Sequence, residues 1–330
     1  MIERIVEGLY KISVPLPNND LEYVNTYLVR GQRDLLIDTG FDMDICEKTL
    51  LKAFDELRVD KKNLDICITH LHPDHAGLLN RLTSKDMRVW CNKGKNALKE
   101  KEEKLQEWIE IKNLFNSYVN LYSIQKDKIE SQFYIHPELM TNGEDFENLS
   151  LLRQGDVLTV GDFQLHCIET PGHHYTHICL YEPHKKILFS GDHVLLDISP
   201  NITSFSIRSN PLDEYLESLD KIKSLDVDLV LPGHGSPFYE LNNRIEELNI
   251  HHQRRLEEIL NIIAQGHHNV FEICKHVKWN GPNGSWDKMP LLLKGFAVGE
   301  TMAHLIYLLN MKKVSVDYSQ NGILHFQLEC

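Results

Sequence analysis

The sequence predicts an α/β protein with a helical insertion and a helix-rich tail, and three observations carry that prediction. Short apolar runs of strand length recur through residues 1–90 and 156–231. Five of these runs end in loops crowded with His, Asp and Gly. Past Tyr239 the apolar residues shift to helical spacing.

In chain order, Leu9–Val14 and Val24–Val29 alternate as half-buried strands do, and Leu35–Ile37 runs into Asp38-Thr39-Gly40. Pro17-Asn18-Asn19-Asp20 and Gly31-Gln32 supply turns between them. Met43 to Glu56 reads as a helix with Ile45, Leu50, Leu51 and Phe54 on one face. Residues 63–69 read as a buried strand, and Pro73, which has no N–H to donate, is expected to stop regular structure just beyond it. Another short strand lies at Met87–Trp90.

From about Lys93 to Glu130 charge is dense, and Trp108, Leu114, Phe115 and Tyr118 belong to an apolar stripe at helical spacing. This reads as a helical insertion, about 93–150, expected to wall a substrate pocket. Strands resume at Asp156–Val160, Phe163–Ile168, Ile178–Tyr181 and Lys186–Ser190, and a helix after Asn210-Pro211 leads to Leu229–Leu231. A long helix over Arg244–Ala264, a helical Val270–Val277 segment and a third helix near Gly299–Asn310 follow. Val314–Tyr318 and Ile323–Phe326, joined through Gln320-Asn321-Gly322, read as a hairpin. Three helices and a hairpin outline a winged helix, so the expected domains are 1–240 and 241–330.

Composition narrows the function classes. A formal net charge of -13 argues against a generic polyanion binder, whose affinity comes largely from neutralising phosphates. No apolar run approaches the roughly 20 residues that span a bilayer. No basic segment followed by an apolar core opens the chain, so no signal peptide is visible. The 7 cysteines are odd in number and lack CxxC spacing, which points to reduced thiols and a cytoplasmic setting.

The chemistry gathers at the five loops. His70, His72, Asp74 and His75 stand within six positions after the strand at 63–69. The others are "LIDTG" with Asp38, "TPGHHYTH" with His173, "SGDHVL" with Asp192 and "LPGHG" with His234. Each follows an apolar strand, and strand ends on one edge of a sandwich can converge. Their His and Asp side chains offer nitrogen and oxygen donors that suit zinc, and also iron or manganese. His251-His252 and His267-His268 lie apart from any ligand pattern and read as surface residues, while His166 is expected to face out of its strand.

His70-x-His72-x-Asp74-His75, followed in order by the other loops, resembles the metallo-β-lactamase superfamily over residues 1 to about 240. The resemblance implies a four-layer αβ/βα sandwich holding two metal ions, zinc foremost. It implies that His70, His72 and His173 bind one ion, that Asp74, His75 and His234 bind the second, and that Asp192 bridges them. Asp74 and Asp192 are thereby the candidate catalytic residues. Asp38 resembles an aspartate that orients ligands, and His177 a histidine that supports them. A water held by two dications ionises near neutral pH, against about 15.7 for free water, and the resulting bridging hydroxide can attack a carbonyl or phosphorus.

A binuclear hydrolase of a thioester or similar small acyl ester is the leading expectation. A single-strand endoribonuclease, a lactonase or β-lactamase, and a transcriptional binding module with a structural metal are the alternatives. Against nucleic acid, Phe296 to Asn310 contains no Lys or Arg, and the wing offers only Lys312 and Lys313 at its base. The apolar residues of that third helix, among them Phe296, Met302, Leu305 and Leu309, are expected to serve protein contact. They would complete the pocket or a homodimer interface.

Overall fold

A computed structural model describes residues 1–17, 21–93, 149–204, 206–279, 286–318 and 323–329. The helical insertion expected from residue 93 to 150 and the Gln320-Asn321-Gly322 turn lie outside them, apart from the insertion's margins. The described residues form two compact units. One comprises residues 1–93, 149–200 and 218–245, and the other residues 201–217 and 246–329.

The first unit is built on two mixed sheets. Seven strands stand in chain order in one sheet: β1 (Ile2–Val6), β2 (Leu9–Pro15), β3 (Tyr23–Val29), β4 (Asp34–Ile37), β5 (Leu64–Cys67), β6 (Val89–Cys91) and β7 (Leu149–Leu151). The meander β1 to β4 is antiparallel, and β4 to β7 are parallel. The second sheet has five strands: β8 (Val157–Val160), β9 (Phe163–Glu169), β10 (Ile178–Glu182), β11 (Ile187–Gly191) and β12 (Leu229–Pro232). Its β11–β12 pair is parallel and the others are antiparallel.

Alternation decides which sheet face meets which neighbour. Leu9, Tyr27, Val29, Leu35 and Ile37 of the first sheet pack on Leu158, Leu165, Leu180, Phe189 and Leu231 of the second. The intervening residues Ile12, Val14, Leu28 and Leu36 face the other way, onto helix α1 (Asp44–Leu57). The buried stripe of α1 is Cys46, Leu50, Ala53 and Phe54, whereas Ile45, expected on that face, is exposed. The consequence for function is that β4, β5 and β11 are buried from both sides and hold their C-terminal loops fixed.

One expectation at the loops needs correction. Pro73 does not stop regular structure but opens the short helix α2 (Pro73–Ala76), followed by α3 (Leu79–Leu82). Proline is tolerated at the first helical position because the N–H there has no intrahelical partner. The first turn of α2 presents Asp74 and His75 side by side.

Helices α4 (Pro211–Lys223) and α5 (Leu241–Ala264) each begin in one unit and end in the other. The second unit also holds α6 (Val270–His276), α7 (Leu291–Asn310) and the antiparallel pair β13 (Val314–Tyr318) and β14 (Leu324–Leu328). Helix α7 starts eight residues before the expected Gly299, because Gly295 and Gly299 are accommodated inside it. It packs on α6 and β13, burying Met302, Leu305, Ile306 and Leu308. The apolar surface expected to serve an outside partner is therefore mostly core, with Leu293 and Phe296 left exposed.

His252 also departs from expectation: it is 1 % exposed and its Nδ1 lies 3.1 Å from His304 Nε2. His251, His267 and His268 are half-buried. His166 takes the outward position of β9, as expected, between buried Leu165 and Cys167. All six described cysteines are buried and free. Among the described residues no helix is long and apolar enough to cross a membrane.

Candidate metal centre

The ends of β4, β5, β9, β11 and β12 bring the sequence-predicted side chains into two adjacent clusters. The first is His70, His72 and His173, and the second is Asp74, His75, Asp192 and His234. In the first, His72 Nδ1 lies 2.9 Å from His70 Nε2 and 3.0 Å from His173 Nε2. Nitrogens bound to one tetrahedral zinc at about 2.0–2.1 Å stand roughly 3.3 Å apart, so this spacing fits a single ion.

In the second cluster His234 Nε2 is 3.2 Å from Asp74 Oδ2 and 3.3 Å from Asp192 Oδ2. His75 Nε2 lies 3.4 Å from Asp192 Oδ1 and 3.6 Å from Asp74 Oδ2. Asp192 faces the first cluster too, with Oδ2 3.7 Å from His173 Nε2. Its carboxylate thus addresses both clusters.

The far side of each ring explains why these nitrogens point inward. Thr69 Oγ1 donates to Asp38 Oδ2 at 2.8 Å, so the 3.1 Å contact with His70 Nδ1 has the ring N–H as donor. The proton on Nδ1 leaves the His70 Nε2 lone pair for the cluster. His75 Nδ1 meets Asp38 Oδ2 at 2.8 Å, and His234 Nδ1 meets the Tyr23 carbonyl at 3.0 Å, so Nε2 is again the nitrogen turned to the cluster. Asp38 adopts a left-handed φ of 60°, which Asp tolerates better than most residues, and also accepts the Thr69 N–H at 2.8 Å.

Close packing sets the rest. A Cβ on Gly233 would lie 2.3 Å from Asp192 Oδ1, so only glycine lets the loop before His234 approach that carboxylate. Asn25 holds this loop by donating from Nδ2 to the carbonyls of Pro232 at 3.0 Å and Gly235 at 2.7 Å.

The electrostatics differ between the halves. Burial and the neighbouring histidines hold His70 and His72 well below the usual imidazole range, in the neutral form a metal needs. Burial also opposes charge on His75, but Asp192, Asp74 and Asp38 outweigh it and raise its pKa well above normal. For His234 burial is again overcome, by Asp192 and Asp74, and the pKa rises to about 10. Burial would raise Asp74, yet His75 and His234 bring it down to about 2. The carboxylates of the second cluster thus draw positive charge onto it, which protons on His75 and His234 supply and a metal cation could replace.

A further sign of fit is that buried His75 Nε2 and Asp192 Oδ1 have no hydrogen-bond partner among the described residues. Uncompensated burial of such atoms is unfavourable, and shared coordination would satisfy both. Three imidazoles beside two imidazoles and two carboxylates form a donor set suited to two transition-metal ions.

Sequence reasoning found every member of the two clusters and the orienting Asp38, and missed the other groups that aim them. Thr69, Tyr23 and Asn25 belong among these, and the amide side chain of Asn25 inside a strand was the available signal. His193 is fully buried with its ring 5.8 Å from that of His177, and His174 packs 4.9 Å from His72 between ring centres.

These features define a sandwich protein with a histidine–aspartate centre at its strand ends. The chain belongs to the metallo-β-lactamase superfamily, which matches residues 19–234. A similar protein is the probable metallo-hydrolase YqjP of Bacillus subtilis, 24% identical over 280 residues, covering 82% of this chain and 85% of that one. An acyl-coenzyme A thioesterase, MBLAC2 of Gallus gallus, is 28% identical, over 65% of this chain and 73% of its own. Among solved structures, the metallo-β-lactamase family protein TTHA1429 of Thermus thermophilus matches with a TM-score of 0.76 and 26% identity, covering 99% of this chain and 100% of that one.

Proposed function

We propose that the protein is a binuclear metal-dependent hydrolase acting on a thioester or similar small acyl ester. The observation that carries this reading is Asp192, whose carboxylate faces both clusters at 3.3–3.7 Å. In it, His70, His72 and His173 hold one ion, Asp74, His75 and His234 the other, and Asp192 both. Zinc suits these donors best, with iron or manganese as substitutes. Two such ions supply a water acidified to near neutral pH and a Lewis acid for the substrate oxygen.

The chain's own residues do the remaining work. Asp38, Thr69 and the Tyr23 carbonyl keep the ligand rings from turning, so little reorganisation accompanies reaction. Thioesters are activated carbonyl compounds with a good leaving group, so they need no separate strong acid, and none of the clustered carboxylates is held protonated. The thioesterase names among the relatives point the same way.

Residues 241–330 are proposed as a winged-helix-like domain, from the order α5, α6, α7, β13, β14. Its role in this reading is to shape the pocket or pair two copies, not to bind nucleic acid, since α7 carries Lys294 as its single basic residue besides histidine. The setting proposed is the cytoplasm.

The test is turnover by zinc- and manganese-loaded protein of acyl-CoA, S-acyl-glutathione, homoserine lactone and single-stranded RNA. Thioesters are expected to be the preferred substrates. Turnover of RNA or lactone with inert thioesters would replace the thioesterase reading by a nuclease or lactonase.

A further inference from the structure

Asp192 follows Ser190 and Gly191 at the end of β11, and hydrogen bonds around that strand end close into a ring with a single direction. The Asp192 backbone N–H donates to His177 Nε2 at 3.1 Å. An amide nitrogen can only donate, so Nε2 is the bare nitrogen and Nδ1 carries the ring proton. His177 Nδ1–H then donates to Thr170 Oγ1 at 2.8 Å. That leaves the Thr170 hydroxyl hydrogen for Cys179 Sγ at 3.4 Å, and the Cys179 S–H donates to the Ser190 carbonyl at 3.6 Å.

The ring therefore leaves the strand at Asp192 and returns to it at Ser190. Thr170, His177, Cys179 and Ser190 are each at most 1 % exposed. Gly191, bracketed between the ends, has φ +48°, and a Cβ there would lie 2.6 Å from His177 Nε2. The imidazole thus rests directly against the turn that aims the Asp192 carboxylate.

We propose that Thr170 is a positioning residue of the centre: its hydroxyl locks His177 in the Nδ1–H tautomer and thereby fixes the Asp192 backbone so that the carboxylate faces both clusters. The proposal rests on the reading of Asp192 as a shared ligand. Without the hydroxyl, Nδ1–H loses its acceptor, and the opposite tautomer would set an N–H against the Asp192 amide. Removing outer partners of metal ligands typically lowers metal affinity by about 10–100-fold.

The experiment compares wild type, Thr170→Val, Thr170→Ser and Cys179→Ala by two readouts. One is zinc affinity in competition with a chromophoric chelator. The other is the nitrogen NMR spectrum of the His177 ring, which distinguishes the tautomers. The expected result is an Nδ1–H ring in wild type and Thr170→Ser. Zinc affinity should fall about 10–100-fold in Thr170→Val and stay near wild type in Thr170→Ser. Cys179→Ala should fall between them, and it serves as the broken ring should Thr170→Val fail to fold. Wild-type affinity in both Thr170→Val and Cys179→Ala, or an Nε2–H ring in the wild type, would overturn the proposal. A wild type that takes up no zinc while its His177 is Nδ1–H would instead sink the metal reading and leave the ring standing.

Discussion

Histidines crowd two parts of this molecule, at the strand-end centre and in the C-terminal unit, and the surroundings give them opposite characters. At the centre the rings are aimed from behind, by Thr69, Asp38 and the Tyr23 carbonyl, so that their far nitrogens converge on two carboxylates. In the C-terminal unit His252 Nδ1 meets His304 Nε2 at 3.1 Å, and His304 Nδ1 donates to the Glu300 carbonyl at 2.8 Å. There the nitrogens spend their protons on each other and on backbone, and the nearby Glu300 carboxylate is turned to Arg255 at 3.8 Å. Density of histidine is thus no mark of a metal site. Ring nitrogens that converge beside carboxylates are.

The comparison is broken most forcefully at Asp192. Since an outer partner costs about 10–100-fold, a ligand shared by both ions should cost more than about 100-fold in activity on its removal. Asp192→Ala is expected to lose both ions and fall below His234→Ala, which removes a ligand of one. Equal metal content in Asp192→Ala and wild type, read by elemental analysis, would remove the shared role.

The opposite outcome is expected in the C-terminal unit. His252→Phe should leave metal content unchanged but lower stability by about 1–3 kcal/mol, because the buried His304 Nε2 loses its donor. A chemical denaturation curve checks this, and a loss of metal would contradict the division between the two regions.

Acid sharpens the same division. Burial and His304 hold His252 well below the usual imidazole pKa, while burial brings His304 to about 3. Each is neutral in the folded unit and would bind a proton when unfolded, so their stabilisation is complete above about pH 6.5 and is lost as pH falls below it, for His304 toward about 3. Each histidine contributes a slope of at most about 1.4 kcal/mol per pH unit, which His252→Phe should reduce in melts run between these limits.

A subtler test separates the halves of the metal centre. His75 and His234 have raised pKa values and hold protons at pH 7, whereas His70 and His72 are depressed and do not. Filling the second cluster should release protons and filling the first should not, and acid should empty the second cluster first. Calorimetric titrations in buffers of different ionisation heat measure this, and equal release at both steps would contradict the assignment.

Much of this architecture was legible from residue pattern because strands buried from both sides leave continuous apolar runs, and ligands must sit where those runs end. Apart from Asp38, the aiming groups were hidden for a physical reason. Tyr23 acts through its backbone carbonyl, which any residue has, and Thr69 and Thr170 occupy positions where a strand accepts Thr without comment. Pro73 was misjudged because the same missing N–H that breaks a strand is harmless at the start of a helix. His252 could have been recognised as buried, for it falls in register with Ile245, Leu248, Leu256 and Ile259 on the apolar stripe of α5. Helix α7 extends through two glycines because its packing on α6 and β13 outweighs their helix cost of about 1 kcal/mol each.

The central claim is that seven side chains form one centre for two ions joined by Asp192. Its most direct test is the metal content of protein reconstituted with zinc and freed of excess by gel filtration. The account predicts two ions per chain in wild type, and fewer than one in Asp192→Ala. One ion or none in the reconstituted wild type, with the fold intact, would contradict it.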